Sequence, residues 1–389
     1  MLRLGGEIQA NIVTVAISLI IGVYTVEGGL YFQGQRIESE KVAAAAKLGI
    51  EFDDRTVLGV TEDLIAEGVD AVPFGPNLRL GKEAATKPEL LLPLGGVSNK
   101  TIVLMNESGQ HGIYKSDRYG FNNPDGQWDL PKIEWLLTGD SFVEGAAVQQ
   151  GEDIAGQIRS ITKSSVINIG ISSNGPLLEL AALKEYGPSL RPKKVLWIYF
   201  ELDFFDLARG KTFPKLMQYL QDDFSQNLIN RQKEIDHILL KYIKTQRTLY
   251  KTRWMRLYAV RKLIEPVRER HSLSDFILDP LLAQILIKAK DRTEAWGGEL
   301  YFVYLPEFSR YNEAGGDHDL HRKKSKVIEL VRGLNIPVID IHQEVFADHP
   351  DPLALFPLRL GPHYTAEGYS KVAKAIILGV RNSQKVGRR

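Results

Sequence analysis

The chain has 389 residues, 44% hydrophobic and 25% charged, enough for a folded core of domain size. A formal net charge of +1 supplies no global field for nucleic acid or for strongly acidic partners. The absence of cysteine excludes disulfides, thiolate catalysis, Cys-ligated metals and a lipidated N-terminal Cys.

The first predicted element is apolar. Ile12 to Val26 carries no charge. Extended back to Ile8 and forward to Phe32, it is long enough to cross a ~30 Å hydrocarbon core. Glu27 then falls near an interface, where Tyr24, Tyr31 and Phe32 also belong. No A-x-A-like cleavage site follows, so residues 1–32 read as an uncleaved anchor, against the alternative of a buried core helix. Arg3 favours a cytoplasmic N-terminus with the rest of the chain outside.

Residues 33–130 read as a membrane-proximal extension partly laid against the main domain. It holds an Ala-rich helix over Lys41 to Leu48, a helix over Thr61 to Gly68 with Thr61 as N-cap, and a strand over Thr101 to Met105. Turn-rich pieces (PFGPN, PLGG, FNNPDG) separate them.

From residue 131 the pattern becomes α/β. Apolar runs at 133–139, 165–170, 194–200, 300–305 and 336–341 predict five strands buried on both faces, hence a parallel sheet. Helices are predicted over Glu152–Thr162, Leu177–Tyr186, Leu281–Trp296, Lys323–Leu334 and Ala366–Val380. This alternation implies a doubly wound, three-layer α/β/α domain of five parallel strands. A helical insertion, residues 204–279, interrupts it. Within the insertion, residues 241–270 carry ten Lys/Arg against Glu265 and Glu269. Leu239, Ile243, Tyr250, Trp254, Leu257 and Tyr258 recur near helical spacing. The segment reads first as a solvated amphipathic helix. The sharper alternative is contact with anionic lipid headgroups or an acidic glycan.

Two residues carry the chemistry. Ser141 lies in GDSFVEG, where the first strand ends in a small residue that permits a sharp turn. The serine then projects from the carboxyl edge of the sheet, and a following helix N-terminus offers N–H groups to an oxyanion. His363, in GPHYTAEGYSKVA, precedes a helix N-capped by Thr365, beyond the fifth strand and at that same edge. It is placed to take the serine proton and return it to a leaving group.

These blocks resemble the SGNH (GDSL-type) hydrolases. GDSFVEG matches the first block, NIGISSNGP (168–176) the second, VLWIYFELDFFDL (195–207) the third and HYTAEGYSKVA (363–373) the last, in family order over about Glu134 to Leu378. The N-terminal segment and KSDRYGFNNPD (115–125) are similar to membrane-anchored bacterial members. The resemblance implies a flavodoxin-like fold, Ser141 as nucleophile and His363 as base. It also implies an oxyanion hole with Ser173 at the family's glycine position, Asn174 standing in for the third-block Asn, and no cofactor. The place implied is the bacterial cytoplasmic membrane, with one span and a periplasmic or extracellular main domain.

Two further departures qualify this. The third-block Asn falls on Leu202, which donates nothing, or on Asp203, which repels an oxyanion when ionised. The Asp expected three residues before the histidine is Leu360. The orienting acid must come from elsewhere, with Asp348, Asp351 and Glu367 as candidates. Asp351 or a backbone carbonyl is the expected partner of His363. The other histidines show no metal-ligand spacing, so no metal is assigned.

Two functions follow. The first is a serine esterase or acyl-transfer enzyme acting on an acylated carbohydrate or lipid. The second is a degenerate, non-catalytic SGNH-fold protein for glycan binding or complex assembly. The Ser141–His363 distance discriminates between them.

Overall fold

The computed structural model describes residues 6–74, 90–253, 257, 258, 260, 261, 279–312 and 318–386. Its first element is one unbroken helix, α1 (Gly6–Lys47), of 42 residues. Ala10–Leu30, with a hydropathy of 1.8 and only 6% buried, is long and apolar enough to cross a membrane. Thr14 and Thr25 return their hydroxyls to the carbonyls of Ala10 and Ile21 (2.9 and 2.8 Å), which hides two polar groups within the apolar stretch. The sequence predicts a separate helix over Lys41–Leu48, but the anchor runs straight into it. No proline lies between the two; the only breakers are Gly28, Gly29 and Gly34, and glycine weakens a helix by roughly 1 kcal/mol without ending it.

Helix α2 (Val57–Ala66) is capped by Thr56, whose side chain accepts from Gly59 N. Thr61 is therefore not the N-cap; its hydroxyl bonds the Val57 carbonyl inside the helix. Strands β1 (Ala71–Pro73), β2 (Thr101–Asn106) and β3 (His111–Lys115) form a small sheet in which β2 pairs parallel with β1 and antiparallel with β3. Only β2 is legible from sequence, because β1 and β3 are short and flanked by turn residues. Val72, Leu94, Ile102, Leu104 and Tyr114 join the same core as Leu177, Trp197 and Ile285, so this region is integral to the fold.

The five predicted strands are all present: β4 (Trp135–Thr138), β5 (Val166–Asn168), β6 (Lys194–Phe200), β7 (Glu299–Leu305) and β8 (Val338–Asp340). They pair in parallel in the order β5-β4-β6-β7-β8, the doubly wound flavodoxin-like order. Along β6, Val195, Trp197 and Tyr199 enter one core, and Leu196 and Ile198 the other. That is why the run reads as continuously apolar. The elements between the strands include α3 (Ser141–Glu144), α4 (Ile154–Thr162), α5 (Pro176–Leu190), α6 (Asp203–Gly210), α7 (Pro214–Gln218), α8 (Gln232–Lys251), α9 (Pro280–Ala295) and α10 (His318–Gly333), and α11 (Ala366–Val386) follows the last strand.

In the insertion, α8 buries Ile235, Leu239 and Ile243, and its Arg247 and Lys251 pair with Glu62 of α2. Residues 254–256, 259 and 262–278, with Trp254 and most of the remaining basic segment, lie outside the described residues. Val260 N donates to Glu27 Oε2 of α1 (2.8 Å).

Candidate active site

Strand β4 ends at Gly139, where a Cβ would meet Val143 Cγ2 at 2.5 Å and the Ile198 carbonyl at 2.8 Å. Glycine is thus required for the chain to turn so tightly beside β6. Asp140 caps the next turn by accepting from Phe142 N (2.9 Å), and Ser141 opens α3. The helix is only four residues long, and Asp140 already occupies the Phe142 amide. Few of its N–H groups are therefore left for an oxyanion.

Ser141 Oγ lies 2.8 Å from His363 Nε2. The other ring nitrogen, Nδ1, faces the Glu107 carboxylate at 2.8 and 2.9 Å. Glu107 and His363 are both buried, at 6% and 8% exposure. Serine, imidazole and carboxylate therefore stand in line, each within hydrogen-bond reach of the next.

The acid corrects the expectation from sequence. Asp351 forms a two-pronged ion pair with Arg359 (2.7 and 2.8 Å), and that guanidinium claims both its oxygens. Asp348 is exposed and Glu367 pairs with Lys371. Leu360 is half exposed. The partner of His363 is instead a side chain 256 residues away, from the turn between β2 and β3. Asn106 Oδ1 holds that turn by accepting from Gly109 N (2.9 Å). Asn106 Nδ2 and Gly109 O tie it to Asp53 (both 2.8 Å). Nothing in the NESGQ sequence marks Glu107 as more than a solvated turn residue.

No family model and no curated protein sequence matches the chain. Solved structures do. A lipolytic protein of the G-D-S-L family from Desulfitobacterium hafniense shares 12% identity, covering 64% of this chain and 99% of its own, with a TM-score of 0.36. The lipase/acylhydrolase from Enterococcus faecalis shares 14% over 64% and 97% (TM-score 0.37). A catalytic mutant of the acetylxylan esterase from Geobacillus stearothermophilus shares 13% over 64% and 94% (TM-score 0.36). In these matches the chain resembles G-D-S-L-type hydrolases. At such identities, what this chain does has to follow from its own side chains.

On the oxyanion side, Ser173 sits at φ +65°, in the left-handed region that suits glycine. Its neighbours' amides are committed, Ser172 N to Glu144 Oε2 (2.7 Å) and Asn174 N to the Ile171 carbonyl (3.1 Å). The Ser173 amide takes no part in these two bonds. Asn174 is buried, and its side chain donates to the Gly139 carbonyl (3.2 Å), so one of its two N–H groups braces the turn that carries Ser141. Glu144, three residues after Ser141, also accepts from Ser172 Oγ and Tyr114 Oη (2.5 and 2.8 Å). It thereby fixes the 168–176 loop to α3 and to β3.

Electrostatics follow from burial. Burial resists ionisation of Glu107, but the charge and hydrogen bond of His363, with Lys41 nearby, hold its carboxyl below the usual range. Burial likewise resists the imidazolium, yet Glu107, then Asp140 and Glu144, raise the His363 pKa above its ordinary value. Four more buried carboxyls lie on the Ser141 side of the site. Burial raises Asp140 and Asp206 to about 6, and drives Glu179 and Asp203 well above the usual range with help from one another. Asp203 Oδ2 accepts from Phe200 N (2.7 Å), while Oδ1 and both Glu179 oxygens are buried without partners. Burial thus opposes a negative charge on Asp203 near Ser141.

Proposed function

We propose that this protein is a serine esterase or acyl-transfer enzyme that uses Ser141, His363 and Glu107. The observation that carries the reading is the line from Ser141 Oγ through His363 Nε2 and Nδ1 to Glu107, with contacts of 2.8 Å on both sides of the ring. Three side chains from distant parts of the chain meet in an order that serves nucleophilic catalysis. A degenerate, glycan-binding domain needs no such alignment.

Ser141 Oγ attacks the ester carbonyl carbon as its proton passes to His363 Nε2. The carbonyl π electrons move onto oxygen, where the Ser173 amide and the second N–H of Asn174 are the proposed donors. Collapse breaks the bond to the alkoxy group, which leaves as alcohol with the proton from His363, and an acyl-serine remains. Water or another hydroxyl then gives its proton to His363 and attacks the acyl-serine. Collapse of this second adduct returns the proton to Ser141 Oγ and frees the acid or a new ester. Glu107 fixes the tautomer and stabilises the imidazolium.

The substrate class proposed is an acylated carbohydrate or a lipid. The place proposed is the outer side of a cytoplasmic membrane, with α1 as a single-pass anchor. Contact of the basic segment 241–270 with anionic lipid or glycan belongs to this same reading. The test is p-nitrophenyl ester hydrolysis and fluorophosphonate labelling of wild type against Ser141→Ala. Hydrolysis and labelling that vanish in the variant are expected. Absence of both in the wild type, or their persistence in the variant, overturns the reading.

A further inference from the structure

We infer that the site works at the membrane surface, on an ester whose alcohol or acyl part is held in the bilayer rather than on a freely diffusing one. This rests on the esterase reading and on α1 as a membrane span, and it deepens both. The argument begins with the stiffness of α1. The apolar stretch ends at Leu30, but the helix continues without a break to Lys47. Lys41 donates from Nζ to the Asn106 carbonyl (3.3 Å), at the residue preceding Glu107. The same helix touches Pro357–Arg359, the loop that leads into His363. The rod that leaves the apolar stretch is therefore the one against which both the acid and the base of the site are seated.

Eleven residues separate Leu30 from Lys41, and at 1.5 Å per residue that is about 16 Å along the axis. Tilt only shortens this height. A second tether lies lower. Glu27, an acid within the apolar stretch, is 7% exposed, and its carboxylate accepts from Val260 N. Val260 also lines an apolar groove along α1 with Leu19, Val23 and Val26. The insertion thus reaches the helix along the last turns of its apolar stretch, while Lys41 holds the catalytic turn above. Two contacts fourteen residues apart on one rigid helix leave the body little freedom to lift away. A site kept about 16 Å above the hydrocarbon edge meets bilayer-held esters at high local concentration, whereas soluble esters gain nothing from the arrangement.

The experiment uses the full chain in phospholipid vesicles. Eleven helical residues (sequence AEAAAKEAAAK) inserted between Gln33 and Gly34 add about three turns, which lifts the site by roughly 16 Å and nearly preserves its facing. Two substrates are compared: a fluorogenic phenyl acetate in solution, and the same ester linked to a phospholipid headgroup. The inserted chain is expected to lose at least tenfold in rate on the lipid-linked ester and to keep its rate on the soluble one. Equal effects on the two esters, or no effect on either, overturn the inference while leaving the esterase reading intact. Absence of a rate on both esters in the wild type overturns both. A second readout needs no catalysis. The chain has no cysteine, so the exposed Gln110→Cys takes a single fluorophore beside the Glu107 turn. Energy transfer to acceptor lipids is expected to be strong in the wild type and sharply reduced in the inserted chain. Weak transfer in the wild type places the site away from the bilayer and overturns the inference.

Discussion

At the scale of single residues, Glu107 and Asp203 make separable predictions. Glu107 raises the His363 pKa, and the imidazole must be neutral to take the serine proton. The acid limb of kcat/KM is therefore expected above the ordinary histidine value of about 6.5. Glu107→Gln removes the anion that stabilises imidazolium. The limb should move to lower pH, and kcat should fall by roughly 10²–10⁴-fold. A pH–rate profile of the variant checks both; a limb that stays in place shows that Glu107 does not act through His363. Burial drives the Asp203 carboxyl toward its protonated form, which asparagine matches in shape and charge. The kcat of Asp203→Asn at pH 7 is expected within about threefold of wild type, less than 1 kcal/mol in the barrier. A loss of a hundredfold shows that Asp203 needs its proton or its charge.

At the scale of elements, the β2–β3 turn matters most, because it carries the acid across from a separate small sheet. Gly109 holds it at φ +103°, and a Cβ there would lie 2.7 Å from both the Glu51 carbonyl and Ile50 Cγ2. Gly109→Ala is expected to cost about 1–3 kcal/mol, read as a lower midpoint of chemical denaturation. It should also lower kcat by displacing Glu107. Unchanged kcat in the folded variant means that the turn tolerates the shift without moving the carboxylate. The Asp351–Arg359 pair is different. Both side chains are more than a third exposed, so a double-mutant cycle should give a coupling of no more than about 1 kcal/mol. A coupling of several kcal/mol signals a structural role for the 351–359 loop that its exposure hides.

At the scale of the whole molecule, buried carboxyls set how stability depends on pH. Glu107 is held below its ordinary value, so its contribution is present above about pH 4.3 and lost as pH falls through its folded pKa. His363 is raised, so its contribution is full below about 6.5 and lost as pH rises through its folded value. Asp140, Glu179, Asp203 and Asp206 are raised acids. The folded state holds protons there that the unfolded chain releases near pH 4, so stability falls as pH climbs above that. The melting temperature is expected to be higher near pH 5.5 than near pH 8, and Glu179→Gln should flatten that slope. A slope unchanged in the variant shows that Glu179 is not among the protons counted.

The sheet was legible from sequence because each strand is buried on both faces, and a continuous apolar run such as KVLWIYF has little alternative. The meeting of Ser141 with His363 was legible for a related reason. Both lie at loops closing the carboxyl edge of that sheet, and strand order alone brings such loops together. What the sequence did not disclose depends on contact between regions with no shared local pattern. Glu107 sits in an ordinary polar turn, and only the packing of β1–β3 into the main core carries it to His363. Asp351 looked suitable by chain distance, but Arg359, eight residues on, took its carboxylate first. The raised pKa of Asp203 is likewise set by burial, which propensity and spacing do not encode. The sequence by itself determined the sheet and its reactive edge, because local hydrophobic pattern specifies them. Tertiary structure alone decided which acid completes the site and how closely α1 holds it, because both are set by contacts between distant segments.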